Sequence, residues 1–160
     1  MAAKIPLVLN SGLVGQLQSG DYINAPIAGI QEVAQTNDEV GAIVIGAPVY
    51  NDAANGVKKA KADAIGTAKP IGLVGQTSIA GAASGIIGVD GVLTATTGQW
   101  DAVAGTTGGL TFGTVYYLSA ATAGLLTSTA PTTVGQFIVE VGQAISTVDM
   151  KILIKAPIGL

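Results

Sequence analysis

Few side chains in this chain of 160 residues are able to do acid, base or metal chemistry. The sequence holds ten aspartates and glutamates and seven lysines, but no histidine, cysteine or arginine. A nucleophilic triad needs a histidine or an equivalent base, and the common zinc sites need cysteine or histidine. Disulfide bonds are excluded for the same reason. The composition therefore predicts a protein that is not an enzyme and that holds no cofactor.

The remaining charged residues form two candidate groups. Asp38-Glu39 together with Asp52 offer the oxygen ligands that Ca²⁺ binds, although the spacing of an EF-hand loop is absent. Lys58, Lys59 and Lys61 form the one cationic cluster of the sequence, and we interpret it as part of a solvated strand or loop. Neither a Ser-x-x-Lys pair nor a phosphate-binding loop occurs.

Three aromatic residues are candidates for ligand binding. Trp100, the single tryptophan, has two interpretations: an anchor of the hydrophobic core, or a platform on which a sugar ring stacks. Tyr116-Tyr117 offer a second possible platform. A carbohydrate-binding module would need at least one of these rings at the surface.

The stretch from Gly108 to Ser146 predicts three successive strands, Val115 to Leu118, Leu125 to Thr129 and Phe137 to Val141. The predicted strands are rich in β-branched and aromatic residues and are separated by glycine and proline. No aspartate, glutamate or lysine lies between Asp101 and Glu140. This part of the chain is therefore suited to packing and not to acid–base chemistry.

The rest of the chain favours strands as well. Residues 24–39 have spacing that predicts one short helical turn. Turn signals at Asn55-Gly56 and Asp90-Gly91 predict two hairpins. The further predicted strands are Val40 to Tyr50, Val57 to Asp63, Ile71 to Val74, Ile86 to Val89, Val92 to Thr96 and Met150 to Lys155.

Residues 5–23 predict a strand, a turn and a second strand. Pro6 has no backbone N–H, so its strand belongs at a sheet edge or in an extended arm. Both remain open: an arm against a neighbouring subunit, or an edge strand of the chain's own domain. We predict an all-β fold, a small β-barrel or sandwich with an extended N-terminal arm. The arm or edge strands would span residues 1–24 and a single β-barrel domain residues 25–160.

The surface is predicted to be poor in charge. Charged residues make up 11% of the chain, against about 25% in typical soluble domains, and the mean hydropathy is +0.56. Such a chain is expected to bury part of its outside against other subunits. A net charge of −3 without arginine argues against a nucleic-acid partner. The apolar runs are too short for a signal peptide or a membrane span, so no membrane association is expected.

Two sets of residues resemble proteins of tailed bacteriophages. Pro6 to Gly12, followed by Gln16 to Asp21, resembles the N-terminus of many virion proteins, in which an apolar strand runs into a Gln-Leu-x-Ser-Gly-Asp turn. The later part is similar to the small β-barrel module of capsid decoration (cement) and head-fibre proteins. Its most specific residues are Gly109 to Ser119, Gly124 to Pro131 and Val141 to Ser146, supported by Ala62 to Ala64 and Ile71 to Val74.

This resemblance covers more than half of the chain and implies a virion structural protein. Members of the family bind the outside of the capsid and stabilise it, often as trimers at local threefold positions. The implied partners are the major capsid protein and further copies of the same chain, and the implied location is the capsid surface, after synthesis in the host cytoplasm. The alternatives are a tail-fibre or fibre-adaptor component and a carbohydrate-binding module displayed on the virion. The candidate capsid-facing residues are Ile5, Pro6, Leu7, Val8 and Leu9.

Overall fold

The computed structural model describes residues 7–10, 13–16 and 30–160. Strands β1 (Leu7–Asn10) and β2 (Leu13–Gln16) pair antiparallel, with Leu7 opposite Gln16 and Asn10 opposite Leu13. The two strands predicted near the N-terminus are confirmed over these residues, while the turn between them lies outside the described residues. Together they form a two-stranded sheet that is separate from the other sheets.

A small barrel is built from the first half of the described body. The strands of this half are β3 (Gln31–Asn37), β4 (Ile43–Val44), β5 (Pro48–Ala53), β6 (Gly56–Lys59), β7 (Gly72–Val74), β8 (Ser78–Ile79) and β9 (Ser84–Thr94). The ring of the barrel runs from β9 through β3, β6, β5 and β7 and closes on β9 again. Strands β3 and β6 run parallel and the other neighbours run antiparallel.

The second half extends the same sheet beyond the barrel. The elements of this half are helix α1 (Thr97–Ala104) and strands β10 (Val115–Leu118), β11 (Leu126–Thr127), β12 (Phe137–Ile138), β13 (Glu140–Ala144), β14 (Asp149–Ile152) and β15 (Ile158–Gly159). From β9 the strand order continues through β14, β13 and β10 to β11, while β12 and β15 form a small sheet of their own. The predicted all-β fold with a small barrel is therefore confirmed.

One continuous hydrophobic core joins the barrel and the extension. The strands build this core because successive side chains point to opposite faces of the sheet. In β10, Tyr116 and Leu118 are buried, while Val115 and Tyr117 are only half-buried. The predicted C-terminal strand behaves in the same way. Met150 and Ile152 are buried and Lys151 between them is exposed, as the sequence predicted.

The helical turn predicted within residues 24–39 is wrong where the structure describes it. Residues 31–37 form strand β3, which pairs with β9 from Gln31 opposite Asp90 to Thr36 opposite Ser84. The spacing of Ile30 and Val33 suggested a helix, but cross-strand pairing with β9 decides the conformation. Tertiary pairing overrides such a weak local preference.

The helix lies instead at residues 97–104. Thr96 accepts a hydrogen bond from the backbone N–H of Gln99, and the Gln99 side chain bonds the backbone of Thr96 in return, which makes a capping box. Gly105 ends the helix with φ of +62°. No described helix is long and apolar enough to cross a membrane.

The predicted hairpin at Asp90-Gly91 is also wrong. Strand β9 continues through both residues and does not turn back, with Gly91 at a φ of +95°. Its first part pairs with β3 and β7, and its last four residues, from Gly91 to Thr94, pair with β14. Both edges are thus occupied, and the strand links the barrel to the extension.

The predicted single strand from Val40 to Tyr50 is two strands, β4 and β5. Gly46 separates them with φ of +78°, a conformation that L side chains rarely adopt. A Cβ added at Gly46 would lie 2.8 Å from the Trp100 ring. Both the backbone angle and the tryptophan ring beside it therefore require glycine at this position. The hairpin between β5 and β6 is confirmed, with Asn55 at φ of +61° in its turn.

The fold is expected to lose stability in acid, because it contains aspartates that stabilise the folded state in their charged form. Hydroxyl donors from Thr94 at 2.5 Å and Ser146 at 2.7 Å lower the pKa of Asp149. A carboxylate whose folded pKa lies below its unfolded pKa stabilises the protein above about pH 4, and that contribution is lost as the pH falls through the folded pKa.

We therefore expect the free energy of unfolding, measured with urea, to fall as the pH drops below about 4. Asp149→Asn should flatten this dependence, because the amide does not titrate. If the free energy of unfolding depended on pH equally in the wild type and the variant, this role of Asp149 would be contradicted.

Candidate partner-binding surfaces

The predicted capsid-facing residues are only partly within the described chain. Leu7, Val8 and Leu9 belong to β1, whereas Ile5 and Pro6 lie outside the described residues. The backbone of β1 pairs with β2 and with no other described strand. Two-stranded hairpins are at best marginally stable alone in water. A hairpin of this kind is therefore a candidate for binding another surface.

Two of the three lysines in the cationic cluster form separate ion pairs. Lys58 binds Asp52 at 2.6 Å and Lys61 binds Asp63 at 2.7 Å. The hydrogen bond from Lys58 lowers the pKa of Asp52, and the same contact raises the pKa of Lys58. Such exposed pairs contribute little to stability. They make a solvated surface, as the sequence predicted.

The side chains considered as calcium ligands make other contacts. Asp52 is held by Lys58, and Glu39 accepts a hydrogen bond from the backbone N–H of Lys59 at 2.9 Å. Across the part of the chain that the structure describes, no group of three or more acidic side chains converges on one point.

The aromatic platforms predicted from the sequence are mostly inside. Trp100 has an exposed fraction of 0%, and its indole N–H donates to the Val148 carbonyl at 2.8 Å. The Tyr116 hydroxyl accepts from the Thr111 N–H at 3.0 Å, and its ring is buried too. Trp100 is a core anchor, and neither ring presents a face to a sugar. Tyr117 remains half-buried.

A tightly ordered loop, which sequence reasoning missed, presents an exposed apolar residue. This segment, residues 37–41, is named the Val40 loop after its fully exposed valine. Asn37 is completely buried, and its side-chain amide donates to the carbonyls of Gly41 and Ile79, both at 2.9 Å. Its side-chain oxygen accepts from the Glu39 N–H at 2.8 Å.

The segment around Gly81 and Ala82 supports this loop from behind. The Ala82 N–H donates to the Asn37 carbonyl at 2.8 Å, and Ala82 holds φ at +58°. Only glycine fits at position 81, since a Cβ there would lie 2.3 Å from the Val40 carbonyl oxygen. A groove of ≈ 470 Å³ runs between the two segments. The loop is thus held in one conformation although its valine packs against nothing.

Asn37→Ala is expected to destabilise the protein by about 2–3 kcal/mol, because it removes the amide that donates to the buried Ile79 carbonyl and to the partly buried Gly41 carbonyl. Equilibrium unfolding in urea measures the loss. Gln76→Ala, which removes an exposed side chain that also bonds two backbone groups, is the matched control and should cost less. Equal costs for the two variants would show that the Asn37 network does not order the loop.

A second surface lies on the outer face of the extension. A depression of ≈ 200 Å³, named the Leu153 depression, has Leu153 as its most exposed apolar residue, at 42%. Lys155 and Glu140 form an ion pair at its rim. Its lining residues are Val115, Glu140, Gly142, Gln143, Leu153 and Lys155.

Both surfaces escaped the sequence reasoning for identifiable reasons. Asn37-Asp38 and Gly41 are turn-forming residues, which could have marked the Val40 loop, but the apolar residues after Val40 suggested a strand. The Leu153 depression is assembled from β10, β13 and the residues after β14. No signal in one stretch of sequence brings those residues together.

No family model matches the chain, and no curated protein is significantly similar to it.

Proposed function

We propose that this protein is a non-enzymatic virion component that binds the outside of a phage capsid and stabilises it. Its partners in this proposal are the major capsid protein and further copies of itself, without nucleic acid or membrane. The sequence resemblance to capsid decoration and head-fibre proteins motivates the proposal, and the all-β fold with a small barrel is consistent with it.

The observation that carries the proposal is the two-stranded sheet of β1 and β2, which pairs with no other described strand. It forms its own sheet, separate from a body that has a continuous core of its own. Adding a strand or an apolar face is what makes a two-stranded hairpin stable. A capsid protein surface would supply that partner to the candidate residues Ile5 to Leu9.

The surface chemistry of the body supports an assembled state. Of the described residues between Asp101 and Glu140, none is charged. Several large apolar side chains are exposed there and near the C-terminal strand, including Phe112 at 76%, Val134 at 88% and Ile158 at 63%. Surfaces poor in charge and rich in apolar atoms are typical of subunits that contact one another.

Stabilisation of the shell follows from mass action in this proposal. A ligand that binds assembled capsomers, and not separated ones, shifts the equilibrium toward the assembled shell. Linked contacts from several copies raise avidity by roughly 10²–10⁴ when the geometry permits simultaneous binding. Weak individual contacts are then sufficient.

Co-sedimentation tests the binding directly. Purified protein is mixed with undecorated heads of the phage that encodes it, and separately with isolated tails. Saturable binding to heads is the expected result. Binding to tails alone would replace the proposal with a tail-fibre or fibre-adaptor component.

A further inference from the structure

The first part of β3 has one edge that no described strand covers. Strand β9 pairs with β3 from Gln31 to Thr36, whereas β6 pairs with it only at Thr36 and Asn37. Strand β6 begins at Gly56, and the chain before it turns back into β5. Residues 31–35 therefore form an open edge within the large sheet.

The unpaired backbone groups of this edge belong to Glu32 and Ala34. The Thr36 N–H donates to the β6 side at 2.7 Å, whereas the Asn37 N–H donates to the β9 side at 2.9 Å. Because backbone groups alternate between the two sides of a strand, those of Glu32 and Ala34 point to the same side as Thr36, where β6 is absent. They form no hydrogen bond with a described residue. An edge of this kind is a template for a further strand.

Two side chains at the open edge also lack a neighbour. Val33 lies opposite Ile87, so the two share a face of the sheet, and Ile87 is completely buried. Val33 is nevertheless 37% exposed. Gln35 lies on the same face, and its side-chain oxygen is buried without a hydrogen-bond donor among the described residues. Both observations indicate that another strand belongs beside residues 31–35.

The hairpin of β1 and β2 has a matching edge in the same chain. Strand β2 pairs with β1 on one side and with no described strand on the other. Its four residues, Leu13–Gln16, are close in number to the open positions of β3. A two-stranded hairpin becomes stable when a third strand joins it. Strands that follow one another in sequence are also neighbours in about two-thirds of cases.

The connection between β2 and β3 selects the chain's own hairpin over that of another copy. Residues 17–30 join the two strands, and a segment of this length can span at most roughly 50 Å. An antiparallel arrangement brings Gln16 beside the start of β3, well within this reach. A strand tethered in this way has an effective concentration on the order of millimolar. A second copy competes only at its concentration in solution.

We propose that β2 pairs antiparallel with the open edge of β3 in the same chain, so that the strand order becomes β1-β2-β3-β9. The backbone groups of Glu32 and Ala34 then bond β2, and the added strand covers Val33. Strand β1 becomes the outer edge and leaves Leu7 to Leu9 available to a capsid surface. The pairing forms in free protein and does not rest on the capsid proposal.

Amide hydrogen exchange of the full-length protein, followed by NMR, tests this pairing. The N–H groups of Val33 and Gln35 face β9 and serve as internal references for a paired strand. Docking of β2 predicts that the Glu32 and Ala34 amides exchange roughly 100-fold or more slowly than those of an unstructured chain. Exchange of these two amides at the unstructured rate would overturn the proposal.

A proline in β2 identifies the strand that gives this protection. Val14→Pro removes a strand N–H and fixes φ. It should accelerate exchange of the Glu32 and Ala34 amides by roughly tenfold or more, while the amides that face β9 stay protected. Ala3→Pro, outside both strands of the hairpin, is the control and should change neither set. If Val14→Pro leaves Glu32 and Ala34 protected, another element covers the edge and the assignment to β2 is wrong.

Dilution distinguishes the chain's own hairpin from that of a second copy. Pairing within one chain predicts equal exchange rates over about a hundredfold range of protein concentration, in samples whose mass is followed by light scattering. Protection that is lost on dilution would assign the edge to a second copy and overturn the proposal. Head binding by co-sedimentation is a separate result. Unprotected Glu32 and Ala34 amides together with saturable head binding would refute the docking and leave the capsid proposal standing.

Discussion

Trp100→Ala is expected to lower the free energy of unfolding by about 3–5 kcal/mol, the range for removing a large aromatic from a core. The side chain projects from helix α1, is completely buried, and lies against Gly46. Its loss also removes the indole N–H that donates to the Val148 carbonyl at 2.8 Å, which then keeps only the N–H of Ala95. Few single substitutions in this chain should cost as much.

Urea denaturation, followed by circular dichroism, measures this effect. Phe112→Ala is the matched aromatic control, because Phe112 is 76% exposed and its removal should change stability by no more than about 0.5 kcal/mol. A Trp100→Ala protein of unchanged stability that had lost binding to a glycan would restore the sugar-platform interpretation of Trp100.

Deleting Met1 to Leu9 is expected to abolish binding to undecorated heads while the body stays folded. The deletion removes the candidate residues Ile5 to Leu9 and most of strand β1. The described core runs from Ile43 to Ile152, so it loses none of its members. Co-sedimentation with heads measures binding, and the urea midpoint measures folding.

A shorter deletion provides the control for this truncation. Removal of Ala2 to Lys4 leaves Ile5 to Leu9 intact and should preserve binding. If the longer truncation still binds heads with unchanged affinity, the N-terminal residues are not the capsid-binding element.

The fold class could be predicted because the relevant signals are local. Turn residues and β-branched stretches marked β10, β7 and the β5–β6 hairpin close to where they lie. Alternation in the C-terminal strand assigned Met150 and Ile152 to the core correctly. Each of these judgements depends on a few neighbouring residues.

The errors concern positions at which residues distant in sequence determine the backbone conformation. Asp90-Gly91 has the composition of a hairpin turn, yet β14 pairs with residues 91–94 and keeps β9 extended. Gly46 separates β4 from β5 with a positive φ, and Trp100, more than fifty positions away in sequence, fills the space that a side chain there would need. The helix at Thr97 is only eight residues long, so its period is too short to be recognised, although Thr96 and Gln99 have the spacing of a capping box.

The candidate surfaces depend on tertiary structure even more strongly. Nothing near Val40 in the sequence indicates that Asn37 is buried or that Gly81 lies behind it. Lys151 and Val115 come to one face through the register of three strands. Sequence reasoning predicted a surface poor in charge, and the structure specifies which residues are exposed on it.

The heat stability of undecorated heads, titrated with the purified protein in a scanning calorimeter, tests the capsid proposal most directly. The proposal predicts that the temperature of head disruption rises with added protein and levels off at a fixed number of copies per head. An unchanged disruption temperature at saturating protein would contradict it.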